Sequence, residues 1–203
     1  MNIRTTIICL ALLLSSCLLF GQVKDPVLVA DQYLQENLET LKLYPEDIEG
    51  YKVSSLTASK HNKTTHLYLQ QQYEGIEVFN AIFNLNILED GKVAGYGNRF
   101  LGQLYKRINT TTPQISMEEA VKSFIRQFGI ASDASVRMME QISPTEATFD
   151  PAGLALEPIQ VKLVFQPLKN KKVHLAWNIS FYQLDAQHWW NARLDAIDGK
   201  VLH

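Results

Sequence analysis

Thr65-His66-Leu67-Tyr68-Leu69-Gln70-Gln71-Gln72-Tyr73-Glu74-Gly75-Ile76-Glu77-Val78-Phe79-Asn80-Ala81-Ile82-Phe83-Asn84-Leu85-Asn86-Ile87 is the stretch that decides the fold. Leu67, Leu69 and Gln71 alternate before Gly75, and Phe79, Ala81, Phe83, Leu85 and Ile87 alternate after it. A period of two marks half-buried strands, because successive side chains of extended backbone point to opposite faces. Gly75 stands where the two runs meet, at a turn or bulge expected to need positive φ.

Beyond this pair, Asp90-Gly91 suits a two-residue hairpin, after which Lys92 to Phe100 returns as a strand. Ahead of it, Gly50 to Thr57 reads as the first strand. Further upstream, Asp25 as N-cap and Pro26 at the first helical position open an amphipathic helix that runs to Leu43. Its stripe is Val27, Ala30, Leu34, Leu38 and Leu41, and Pro45, Glu46 and Asp47 end it.

Residues 102–115 carry no periodicity and read as a linker; the pattern then restarts. Ser116 and Glu119 form a capping box ahead of the stripe Met117, Ala120, Val121, Phe124, Ile125 and Phe128. A strand is expected over Ser135 to Ile142 and an irregular stretch over Ser143 to Pro158. Alternating strands follow at Val161 to Phe165, at Leu175 to Phe181 (which makes Trp177 a core residue) and at His188 to Ala196. Of Trp189 and Trp190, adjacent on a strand, one should be core and the other partly exposed. Asp198-Gly199 makes a last turn. Each half is a helix and then about four antiparallel strands, an α+β arrangement in which each half closes its own small core.

At the other extreme of polarity, Met1 to Arg4 followed by an uncharged apolar run ending at Gly21 has the layout of a secretion signal, with cleavage expected between Gly21 and Gln22. The protein is therefore expected to be secreted or periplasmic. Leu14-Ser15-Ser16-Cys17 also fits a lipobox, which would anchor the chain through Cys17. Both cysteines, Cys9 and Cys17, lie in this segment, so the remainder must fold without disulfides. About 180 residues can bury roughly 70% of their unfolded surface, which is ample.

Losing Arg4 lowers the formal net charge from −2 to about −3, and there is no basic cluster, which argues against nucleic acid as a partner. No second apolar stretch approaches the roughly 20 residues of a membrane span. A common zinc-protease motif would place two His one helical turn apart around a Glu, yet His61, His66, His174, His188 and His203 are scattered at no metal-ligand spacing. Gly95-Tyr96-Gly97-Asn98 lies in a strand context, unlike a phosphate loop, and no nucleophile-elbow glycine pattern is present. Neither an enzyme constellation nor a cofactor is expected. Asn62-Lys63-Thr64, Asn109-Thr110-Thr111 and Asn178-Ile179-Ser180 match the glycosylation acceptor pattern, more as chance than as signal.

The run Gln71-x-Tyr73-x-Gly75-Ile76-x-Val78, with Ala81 and then Asp90-Gly91-x-Val93, resembles the propeptide motif of the fungalysin/thermolysin family (FTP). Ser116-Met117-Glu118-Glu119-Ala120, Trp177 and the series Trp190, Asp195, Ala196, Gly199 resemble the PepSY-like second half of those propeptides. Gln187-His188-Trp189-Trp190 most resembles bacterial fungalysin-type metallopeptidases. The resemblance implies two successive cystatin-like units, FTP-like over 22–101 and PepSY-like over 116–203. It also implies a partner, a zinc metallopeptidase catalytic domain whose folding the prosegment assists and whose cleft it blocks, in cis or in trans. The catalytic domain is expected where the chain stops at His203. The 203 residues contain no HExxH, so no peptidase activity carries over. A free-standing exported binding module or inhibitor is the alternative.

Overall fold

A computed structural model describes residues 25–130 and 136–202. Gly21, Gln22, Cys17 and the whole expected signal lie outside the described residues.

The first helix, α1 (Pro26–Glu36), is capped by Asp25, whose Oδ1 accepts from Val27 N at 2.9 Å, with Pro26 in the first turn. It ends earlier than its sequence stripe suggests. Asn37, at φ −116°, separates it from a single extra turn, α2 (Leu38–Leu41), which closes on Lys42 at φ 57°. The buried stripe is Val29, Ala30, Leu34 and Leu41; Val29, not Val27, faces the sheet.

Four strands form an antiparallel meander: β1 (Lys52–Ala58), β2 (Thr65–Tyr73), β3 (Ile76–Ile87) and β4 (Val93–Asn98). Helix α3 (Met117–Phe128) follows with its capping box formed, Ser116 Oγ accepting from Glu119 N and Glu119 Oε2 accepting from Ser116 N. Five more strands complete the fold: β5 (Met138–Ser143), β6 (Glu146–Phe149), β7 (Ile159–Pro167), β8 (Val173–Tyr182) and β9 (Trp189–Asp195).

Three expectations are corrected. Residues 143–158 are not wholly irregular, since Glu146–Phe149 is a strand paired with both β5 and β7. Its four residues are too few to establish a period. Asp90-Gly91 belongs to a three-residue loop, not a two-residue one: Gly91 N donates to Leu88 O and Leu88 N to Lys92 O, with Gly91 at φ 81°. That is a turn closed by a glycine bulge. The first half closes its own core, but the second does not. Val78 of β3 pairs in parallel with Phe165 of β7, which joins all nine strands, and Ile76, Val78 and Ala81 pack in the second core.

One residue causes that sharing. Asn80 sits at φ 59° between Val78 and Ala81, and the β2–β3 register breaks between Gln70 and Gln72. The bulge reverses the alternation, so Val78 and Ala81 are both buried while Phe79 turns to the opposite face. There Arg193 lies over its ring, 4.3 Å from the centroid.

Candidate functional site

Gln71, Tyr73, Gly75, Ile76, Val78 and Ala81 lie at the seam where β2 and β3 meet the second half. Gln71, fully buried on β2, donates through Nε2 to Asp47 O and Leu101 O, both at 3.0 Å, and accepts from Leu101 N at 2.8 Å. Both amide hydrogens and one lone pair of the oxygen are thereby spent on backbone groups that would otherwise lack partners. Asp47, 2% exposed, takes three backbone N–H groups: Leu104 at 2.8 Å, Gln103 at 2.8 Å and Tyr44 at 2.9 Å. Gly102 fits between them because a Cβ there would stand 2.3 Å from Lys42 O. The chain leaving β4 is thus fastened to the helix–strand corner of the first half.

Tyr73 and Ile76 bound a tight turn that contains Gly75. Tyr73 pairs with Ile76, and the two central residues, Glu74 and Gly75, lie at φ 50° and 78°, the signature of a type I′ hairpin. Tyr73 meets Phe165 edge-on at 6.2 Å. In the adjacent bulge the Gln70 amide donates to Val78 O, Ala81 O and Gln71 O at 2.7, 3.1 and 3.1 Å, satisfying carbonyls that the ladder abandons there. Glu77 spans the seam electrostatically, with Lys52 of β1 at 3.4 Å and Lys162 of β7 at 2.9 Å, while Lys162 also reaches Glu146 of β6 at 3.9 Å. Burial opposes ionisation of Glu77, but Lys162 and then Lys52 outweigh it and hold the carboxyl below its ordinary value.

Of the remaining motif positions, Asp90 is exposed and its Oδ1 accepts from Lys92 N, while Val93 packs at the edge of the first core. Trp177 is 2% exposed and its indole N–H donates to Ile115 O at 3.0 Å. Trp190 packs against Phe124 and Phe128 at 5.7 and 4.9 Å, with Trp189 on the exposed side. Asp195 accepts from Ile197 N and pairs with His174 Nδ1 at 2.7 Å. Ala196 O accepts from Gln114 N and Ile115 N, so residues 102–115, though aperiodic, are laid along the second half at several points. Gly199, at φ 73°, presents its carbonyl to Ser123 Oγ and Gln127 Nε2 at 3.1 and 2.7 Å.

These positions fall into three places: a seam around Gln71, the β3–β4 loop with Asp90, Gly91 and Val93, and the second half's core and closing turn around Trp177 and Asp195. Sequence reasoning missed Asp47, Gln70 and Asn80, which carry much of the seam. An acidic residue at a helix end reads as dipole compensation, and glutamines in a strand read as solvated. Among the described residues no group of three His, Cys, Asp or Glu is placed to hold a metal ion, and no helix is long and apolar enough to cross a membrane.

The chain is thus an α+β protein whose first sheet is tied to its second half by a propeptide motif. Residues 49–100, the segment containing that seam, match the family model described as the Fungalysin/Thermolysin Propeptide Motif. The chain is also 33% identical over 141 residues to the extracellular metalloproteinase MEP of Fusarium vanettenii, covering 66% of this chain and 21% of that protein. Extracellular metalloproteinase 2 of Phaeosphaeria nodorum is 27% identical over 148 residues, covering 70% and 22%. Extracellular metalloproteinase 9 of Coccidioides posadasii is 29% identical over 152 residues, covering 70% and 23%. The chain spans about a fifth of the length of these relatives. Among solved structures, the C-terminal domain of Bacillus megaterium YpeB aligns over 90% of this chain and 63% of that one, at 13% identity and a TM-score of 0.39, too low to carry an argument.

Proposed function

We propose that this chain is the prosegment of a secreted zinc metallopeptidase of the fungalysin type, assisting the folding of the catalytic domain and occupying its cleft until processing. The observation that carries this reading is the propeptide motif over residues 49–100, with relatives that are extracellular metalloproteinases matching about two thirds of the chain. On this reading residues 22–101 and 116–203 are two cystatin-like units, FTP-like and PepSY-like, joined by 102–115. The extracellular setting of the relatives supports removal of residues 1–21 on export.

The physics suits a template. The motif residues are consumed in holding the seam rigid, which presents a preorganised surface and lowers the ordering cost of association. When such a segment is joined to its enzyme, the tether supplies an effective concentration of about a millimolar, so micromolar intrinsic affinity keeps the cleft mostly filled.

The test mixes the purified secreted chain with the catalytic domain of Fusarium vanettenii MEP during refolding, and separately with the folded enzyme. A higher yield of active peptidase and inhibition of peptide hydrolysis are expected. No effect in either assay overturns the reading.

A further inference from the structure

One exposed apolar patch lies on the second half, away from the seam. Tyr182 and Trp189 face each other across the β8–β9 ladder, stacked at 5.7 Å with their planes 11° apart. Leu156 N donates to Tyr182 O, which places Leu156 beside that pair, and Leu184 lies in the turn that follows β8, its N–H donating to Leu154 O. Leu156, Tyr182, Leu184 and Trp189 are 51%, 47%, 57% and 62% exposed. The indole N–H of Trp189 is already held by Ser180 Oγ at 3.1 Å, so the ring is positioned before anything binds it. An aromatic pair held rigid within an apolar patch has the composition of an interface anchor.

The path of the last described residues indicates what reaches it. The turn at Asp198-Gly199 reverses the chain: Asp195 N donates to Lys200 O, Leu194 pairs with Val201, and Leu202 N donates to Arg193 O. Val201 and Leu202 therefore run antiparallel to β9, from its Asp195 end toward Trp189. A domain tethered beyond them is led along this edge toward the patch.

The geometry points to the Tyr182–Trp189 face, with Leu156 and Leu184, as the docking surface for the metallopeptidase catalytic domain. This rests on the prosegment reading. The stacked rings are the anchor, and the exit of the chain along β9 delivers the partner to the same end of the sheet.

The test measures inhibition and binding of the Fusarium vanettenii MEP catalytic domain by the secreted chain, by Trp189→Ser with Tyr182→Ser, by Trp189→Phe, and by Leu28→Ser, which alters an exposed leucine on α1. The double variant is expected to weaken binding on the order of tenfold or more, with Trp189→Phe largely retaining it and Leu28→Ser unchanged. Wild-type inhibition that the double variant preserves overturns the patch and leaves the prosegment reading standing. If the wild-type chain neither inhibits nor assists refolding, both fall. Should sedimentation show a wild-type dimer that the double variant dissolves, the occupant is a second copy and the proposal is overturned. Circular dichroism checks that the double variant is folded; if it is not, the comparison of Trp189→Phe with single Trp189→Ser decides.

Discussion

The two halves of the chain follow the same course, a helix and then an antiparallel meander, but they close their cores differently. Among the described residues the first core gathers 12 buried apolar side chains, all from residues 29–100. The second gathers 26, and three of them, Ile76, Val78 and Ala81, come from β3 of the first half. The second core is therefore larger and incomplete on its own, whereas the first is smaller and self-contained. The difference teaches that the motif Gln71-x-Tyr73-x-Gly75-Ile76-x-Val78 is the device by which one half is completed by the other. Its turn redirects the chain, its bulge reverses the alternation, and its buried amide fixes the corner behind it.

The strongest way to break this comparison is to strike the second core and ask whether the first survives. Trp177→Ala removes a fully enclosed indole and its bond to Ile115 O, and should cost roughly 3 to 5 kcal/mol. Because β3 belongs to both cores, calorimetry should show one transition moved to lower temperature. Two transitions, with the first half melting as before, would show that the shared strand does not couple them.

A smaller effect is expected at the seam itself. Gln71→Leu keeps much of the volume but strands Asp47 O, Leu101 O and Leu101 N, and should cost about 1 to 3 kcal/mol in urea unfolding. A neutral result would mean that water reaches these groups and the network is dispensable.

The hairpin turns offer a finer comparison. Leu88–Lys92 and Leu168–Lys172 share one hydrogen-bond pattern, with Asp90 Oδ1 and Asn170 Oδ1 each accepting from the backbone N–H two residues on. At the left-handed position one loop has Gly91 at φ 81°, the other Lys171 at φ 67°. A side chain there costs about 1 kcal/mol or more. Lys171→Gly should accordingly stabilise by up to about 1 kcal/mol, Gly91→Lys should destabilise by a similar amount, and Gly75→Val, at φ 78°, should lose at least as much. Equal stability across all three variants would show that the backbone relaxes out of the left-handed region.

What could be read from sequence follows the same division. The helices, the long alternating strands and Trp177 were legible because each depends on a period or a cap contained within a dozen residues. The patch was half legible: adjacent tryptophans on a strand must face opposite ways, but nothing local says that Tyr182 lies across from Trp189. The shared core was not legible, because a bulge at an ordinary asparagine shifts Phe79 off the buried face and no pattern of apolar residues announces it. Strand β6 was too short to show a period, and residues 102–115 are held by contacts that never repeat. The propeptide resemblance singled out Gln71 and Tyr73 but not the long-range partners they meet, such as Asp47 and Phe165.

The seam also carries charge, and its pH response is the mildest expected effect. Glu77 lies between Lys52 and Lys162, with Glu146 on the far side of Lys162, and its carboxyl is held below the ordinary value despite partial burial. A group whose folded pKa is depressed contributes stability that is fully present above its unfolded value and is lost as pH falls through the folded one. The contribution of Glu77 should therefore be intact at neutral pH and begin to fade below the ordinary carboxylate value of about 4.3. Glu77→Gln should lower the melting temperature slightly at pH 7 and flatten its decline under acid, so that the two proteins converge toward pH 3. The first half makes this contact through β1 and β3 and the second through β6 and β7, so acid loosens the one place where, among the described residues, the unequal halves meet through ion pairs. An identical pH profile for Glu77→Gln and wild type would leave the coupling to the apolar residues of β3 alone.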